Sequence, residues 1–239
     1  MNKIYIPPVV KNLLIINILF FAATYLLTNL HLDDLLAVYY FDSPKFELWQ
    51  PISYMFMHGN LAHIFFNMFA LYSFGSILEQ RWGAKKFLIF YFITGLGALF
   101  LQWAVQAYEV HQILGTFTAG DKLSLSDLYN ATDASPAKVK TLFGIYFGGM
   151  LGASGAIFGL LVAFGMLYPN AELLIMFIPV PVKAKYIIPF YILVELSLGV
   201  AQFEGDSVAH YAHLGGALIG FILVKIWKDK NDTFYTLYE

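Results

Sequence analysis

Residues 12–32, 48–78, 87–108, 141–171 and 207–224 contain no Asp, Glu, Lys or Arg, and a sixth apolar stretch, 186–203, is interrupted only by Glu195. A helix needs about 20 mostly apolar residues to cross a hydrocarbon core about 30 Å thick, so the pattern predicts six transmembrane helices. The expected fold class is all-α, a polytopic membrane bundle of six helices forming a single domain over 1–239. An outer loop is expected at 31–57 and a longer one at 109–140. The first span follows Lys3 and Lys11 as a signal peptide would, but it has no small-residue cleavage site and five spans come after it. It is read as a retained helix, with the mature chain beginning near Met1.

Composition supports the membrane reading: 59% of the residues are hydrophobic, 13% are charged, and the mean hydropathy is +0.65, outside the usual range of soluble domains. The net charge of -2 adds nothing by itself, but its distribution does. Six spans put Lys3, Lys11, Arg81, Lys85, Lys86, Lys183, Lys185, Lys225, Lys228 and Lys230 on one side, against Lys45, Lys122, Lys138 and Lys140 on the other. The positive-inside rule then places both termini in the cytoplasm or an equivalent compartment, with the cell (inner) membrane as the expected location. The absence of cysteine excludes disulfides and thiolate chemistry.

The loop at 31–57 carries Tyr39, Tyr40, Phe41, Trp49 and Tyr54, aromatics suited to the headgroup region. The 109–140 segment is too long for a turn, suits short interfacial helices, and contains a glycosylation-type triplet at Asn130 to Thr132. Pro169, Pro179 and Pro181 punctuate the inner connection before the fifth span.

The polar residues inside the apolar runs are few. Ser154 sits among Gly148, Gly149, Gly152 and Gly155 at the head of the fourth span. It is either a small residue that lets helices approach, or a nucleophile. A fourth span starting near Gly148 would put Ser154 about 9 Å down its helix; His213, measured from Ser207, lies about 9 Å down the sixth. If the regular helix begins near Ser154 instead, its free amides and dipole favour negative charge there. Gly155 and Gly159 on one span and Gly216 and Gly220 on the other would allow close contact between them.

His63 and Asn67, four residues apart, share one face of the second span. They are either interhelical hydrogen-bonding groups or donors aimed at a developing negative charge. His58 reads as structural. Glu195 is a functional candidate as an intramembrane carboxylate, either a third catalytic member or a protonated acid bonded to a neighbour, and neither role is assigned. His58, His63, His210 and His213 all fall toward the outside, but His-Glu-x-x-His is absent and no carboxylate lies near them in sequence, so no metal is expected. The soluble-hydrolase elbow is also absent, because Ala156 occupies its last position.

Three motifs, His58-x4-His63-x3-Asn67, Gly152-x-Ser154-Gly155 and His213-x2-Gly216-x3-Gly220, resemble in order the signatures of the rhomboid family of intramembrane serine proteases. The resemblance covers roughly residues 12–228. It implies Ser154 as nucleophile and His213 as general base and then acid. His63, Asn67 and the Ser154 amide would form the oxyanion hole, with Gly152, Gly155, Phe158 and Gly216 supporting. Phe158 stands where the family often has a Tyr stacked on the catalytic histidine. Glu79 and Arg81 match a structural loop motif, and the dyad needs no carboxylate. Substrates would be transmembrane segments entering from the lipid and cut near their outer ends. Membrane lipids are the other expected partner; no cofactor and no nucleic acid are expected. The alternatives are a proteolytically inactive rhomboid-like protein that binds membrane helices, and a small transporter or channel using the histidines as a polar path, for which no inverted repeat is visible.

Overall fold

The computed structural model describes residues 5–120, 126, 127, 129, 132, 135–175, 178–201 and 209–227. It is mostly helical: α1 Pro8–Leu26, α2 Leu32–Leu36, α3 Gln50–Ser53, α4 Leu61–Ala70, α5 Ser76–Trp82, α6 Ala84–Leu114, α7 Pro136–Phe147, α8 Ser154–Leu167, α9 Ala184–Ala201 and α10 His210–Ile226. A π-helical turn, Leu71–Gly75, joins α4 to α5, so the second span runs unbroken over Leu61–Trp82. This span, α1, α6 and α9 are long and apolar enough to cross a membrane, while α8 and α10 are apolar but shorter, at 14 and 17 residues. The protein is an integral, multi-pass membrane protein, and rows of exposed apolar side chains such as Ile15 and Leu19, Phe65 and Phe69, and Phe190 and Leu193 suit contact with lipid.

Several expected boundaries move. The third span is a 31-residue helix rather than 87–108, so 109–114 belong to α6 and the 109–140 loop is shorter than its sequence suggested. The fourth apolar run, 141–171, contains the end of α7, an irregular stretch at 148–153 and α8. Gly148 is therefore not the start of a span; Ser154 opens α8 instead of lying a turn and a half into it. The inner connection is not purely helical: Glu172–Ile175 pairs antiparallel with Ile178–Lys183. Asn130, Ser207, Lys228 and Lys230 lie outside the described residues.

The 31–57 loop is folded rather than laid along the headgroups. Tyr39, Tyr40 and Tyr54 are buried, because each can hide its ring and still satisfy a polar group. The Tyr40 hydroxyl donates to the Phe117 carbonyl at 2.9 Å and that of Tyr54 to the Gly95 carbonyl at 2.8 Å, while the Trp103 indole donates to the Tyr39 carbonyl at 3.0 Å. The Tyr39 hydroxyl and the Lys45 ammonium hold the Asp34 carboxyl below its ordinary pKa. Only Phe41 and Trp49 remain exposed among the five aromatics.

The centre of the bundle is the packing of α10 against α6 and α8. A Cβ on Gly216 would overlap the Gly155 carbonyl oxygen, and one on Gly220 would meet the Gly159 Cα at 2.8 Å. On the other side of α10, a Cβ on Gly215 would sit 2.9 Å from the Gly97 carbonyl. Without a strong hydrophobic force between helices in lipid, such close approach supplies the van der Waals contact that holds them together. At the inner end, Glu79 is buried and accepts the Val9 and Val10 amides at 2.9 and 2.7 Å, satisfying two free donors at the start of α1. Arg81 lies over the Tyr168 ring at 5.6 Å.

These contacts predict a contrast between two glycine-to-alanine substitutions, read as thermal unfolding in detergent. Gly216→Ala forces backbone apart and should lower the midpoint by several degrees, whereas Gly144→Ala in α7, whose Cβ would meet nothing within 4 Å, should leave it unchanged or slightly raised. Equal effects would show that the α8–α10 contact is not limiting.

Candidate active site

The irregular stretch before Ser154 is tied to the outer loop. Met150 and Val38 exchange backbone hydrogen bonds at 2.8 and 2.9 Å, and the Gly152 amide donates to the Tyr54 carbonyl at 2.9 Å. Gly152 has φ +133°, and a Cβ there would lie 2.9 Å from the His63 ring and 3.5 Å from Ser154 Oγ. Glycine is required on both counts. The chain then enters α8 at Ser154, and the first intrahelical amide bond there is Ile157 to Ala153. The amides before it point out of the helix end, where partial positive charge collects.

Ser154 is half-buried, and its Oγ lies 2.8 Å from His213 Nε2. His213 is in the first turn of α10, held between the Phe158 ring, stacked at 4.4 Å and 8°, and Glu195 of α9, whose Oε2 lies 2.9 Å from His213 Nδ1. The same Oε2 lies 2.6 Å from His210 Nδ1. A neutral His213 with Nδ1–H toward the carboxylate presents the Nε2 lone pair to the serine hydroxyl.

His63 opens α4, where the Asn60 side chain caps its amide at 2.8 Å. The Gly59 amide donates to His63 Nδ1 at 3.4 Å, so the ring proton belongs on Nε2, the atom facing Gly152. Asn67 is one turn further on and buried, and its Nδ2 has no hydrogen-bond partner among the described residues. An unsatisfied buried donor is costly unless something arrives to accept from it. His58 is buried with its ring edge-on to His63 at 5.0 Å.

The arrangement therefore offers a hydroxyl beside an acceptor nitrogen, at a helix N-terminus, with a histidine nearby and a buried amide donor one helical turn beyond that histidine. A family model, the Rhomboid domain, matches residues 45–229. The chain belongs to the rhomboid family. Among rhomboid relatives, the Rhomboid protease AarA of Providencia stuartii is 31% identical over 181 residues, covering 74% of this chain and 55% of that one. Rhomboid protein 1, mitochondrial, of Saccharomyces cerevisiae is 28% identical over 168 residues, 70% of this chain and 38% of that protein. An uncharacterized mitochondrial rhomboid protein of Schizosaccharomyces pombe is 27% identical over 210 residues, 77% and 52% respectively. The chain thus spans about half or less of the length of these relatives.

For this rhomboid, the structure brings Ser154, His213, Phe158, Gly152 and His63 together, with Asn67 on the same helix as His63 and Gly155 beneath Gly216. A carboxylate does stand beside His213, because α9 carries Glu195 to it from 18 positions away in sequence. His210, not singled out beyond its place among outer histidines, shares that carboxylate. Spacing gave no signal for either contact, since it reports only neighbours on one helix; the available signal was that a carboxylate in an apolar span needs a partner. Ligand atoms of Glu195, His210 and His213 lie within 4.8 Å of one another, as a metal site would require. Two of the separations, 2.6 and 2.9 Å, are those of hydrogen bonds; ligands around tetrahedral zinc sit about 3.3 Å apart.

Gly152→Ala should lower the detergent unfolding midpoint, through about 1–3 kcal/mol of backbone strain and displacement of the His63 ring. An unchanged midpoint would contradict the packing described for Gly152.

Proposed function

We propose that this rhomboid is an intramembrane serine endopeptidase that cleaves transmembrane segments with a Ser154–His213 dyad. The observation that carries the reading is the 2.8 Å contact between Ser154 Oγ and His213 Nε2 at the start of α8, within an otherwise apolar bundle. Ser154 Oγ attacks the scissile carbonyl carbon while its proton passes to His213 Nε2. The resulting oxyanion is held by the Ser154 amide, the unpartnered Asn67 Nδ2 and the His63 Nε2–H, aided by the α8 dipole. His213 returns the proton to the leaving amine, giving an acyl-enzyme and the first product. Water then attacks the ester, losing a proton to His213 Nε2, and collapse frees the acid and restores Ser154 Oγ–H.

The membrane arrangement is part of the proposal. α8 spans only about 21 Å at 1.5 Å per residue, so its first turn lies below the membrane surface if its other end reaches the opposite one. With α10, it completes six crossings. The irregular segment above Ser154 is bonded to the outer loop at Val38 and Tyr54, and non-helical backbone is tolerated at membrane depth where it is buried in protein. Water reaches Ser154 there, and the substrate helix enters from the lipid and unwinds locally. The lysine-rich side and both termini lie in the cytoplasm or its equivalent, with Ser154 toward the other face. The name of AarA as a rhomboid protease agrees with this activity; the yeast and fission-yeast names place those relatives in mitochondria, and the cell (inner) membrane is proposed for this chain, with the charge distribution giving its orientation there.

The test is cleavage of a tagged single-span substrate by purified protein in liposomes. Ser154→Ala and His213→Ala should abolish product, and Asn67→Ala or His63→Ala should each slow cleavage by about 100- to 1000-fold. Cleavage that survives Ser154→Ala would place the chemistry elsewhere. Mild effects of both Asn67→Ala and His63→Ala would remove the oxyanion assignment.

A further inference from the structure

We infer that Glu195 is a positioning residue for His213, making the site a carboxylate-supported Ser–His pair in which one carboxylate oxygen orients two histidines. The inference rests on the proposed roles of Ser154 and His213. Glu195 lies within an 18-residue apolar helix, where a carboxylate costs several kcal/mol unless it is paired. Its Oε2 is not spread over solvent: it lies 2.6 Å from His210 Nδ1 and 2.9 Å from His213 Nδ1.

The chemical consequence follows from the imidazole ring. A carboxylate accepts and does not donate, so contact with it puts the neutral His213 proton on Nδ1 and leaves the Nε2 lone pair facing Ser154. His63 has the opposite arrangement. There a backbone amide donates to Nδ1, so Nε2 carries the proton and can only give a hydrogen bond. Two histidines in one site are thereby given different jobs, base and donor, by the group each meets on its far nitrogen. When His213 takes the Ser154 proton, the imidazolium faces Ser154 Oγ from α8, Glu195 from α9 and His210 on its own helix, with His63 of α4 close enough to interact electrostatically. Of these only Glu195 supplies a compensating negative charge. The proton stays on His213, and Glu195 remains a carboxylate throughout.

A purely structural role, docking α9 onto α10, is already filled by other contacts. One turn along from Glu195, the Tyr211 hydroxyl donates to the Gly199 carbonyl at 3.0 Å, and a Cβ on Gly199 would meet His210 Cβ at 3.2 Å. The two helices remain joined there without the carboxylate.

The experiment uses the full-length protein in liposomes with the tagged single-span substrate. Glu195→Gln should lower kcat by about 100-fold or more, as loss of an orienting acid does in Ser–His hydrolases, with KM changed less than about twofold. Glu195→Asp should recover part of the rate. Independently, 15N NMR of histidine-labelled wild-type protein should find neutral His213 protonated on Nδ1, and Glu195→Gln should shift it toward the Nε2–H form. Full activity in Glu195→Gln, alongside an inactive Ser154→Ala, would overturn this inference and leave the Ser154 reading standing. An active Ser154→Ala would instead remove the reading on which it rests. Wild-type His213 protonated on Nε2 would overturn the inference even if every Glu195 variant failed to fold.

Discussion

Close contact between the backbones of α8 and α10 is the constraint on which the rest depends. Gly155 and Gly159 face Gly216 and Gly220, so near that a methyl group on Gly216 would overlap a carbonyl oxygen. Ser154 is the residue before Gly155, and His213 is three before Gly216, so the spacing of the helices sets the spacing of the two side chains. A small-residue seam in lipid does two things here. It supplies packing energy where the hydrophobic effect between helices is weak, and it holds a hydroxyl and an imidazole at hydrogen-bonding distance without a loop.

Around this seam the polar groups form a graded set. Ser154, His213, Glu195 and His210 form a hydrogen-bonded chain in that order, while Asn67 Nδ2 is buried without a partner among the described residues. Fully satisfied polar networks rigidify a low-dielectric interior, and an unsatisfied donor within it is an energetic reservoir. In a hydrolytic reading the satisfied part is the preorganised nucleophile and base, and the unsatisfied donor awaits charge that appears only during reaction. Gly152 links the parts, because its positive φ and lack of a side chain let the His63 ring lie beside the turn that delivers Ser154.

Much of this was legible in the chain. Runs with little or no charge marked the four helices long enough to cross a membrane, and the glycines around Ser154 and after His213 marked the seam, because both signals are local and periodic. Helix ends were less legible. The charge-free run from 141 to 171 leaves a helix start at Gly148 or at Ser154 equally open and does not announce that α7 stops at Phe147, since the break is held by tertiary bonds to Val38 and Tyr54. The buried tyrosines of the outer loop looked like interfacial anchors because their carbonyl partners lie far away in sequence. Glu195 was visible as an anomaly but not as a partner of His213, since that contact depends on how α9 packs against α10.

The central claim is that Ser154 is an activated hydroxyl only in the folded bundle. Its most direct test is mass-spectrometric mapping of protein treated with a fluorophosphonate or isocoumarin probe in membranes. The account predicts a single adduct on Ser154, absent after thermal unfolding and absent in His213→Ala. No adduct in the folded protein, or one on a different residue, would contradict it.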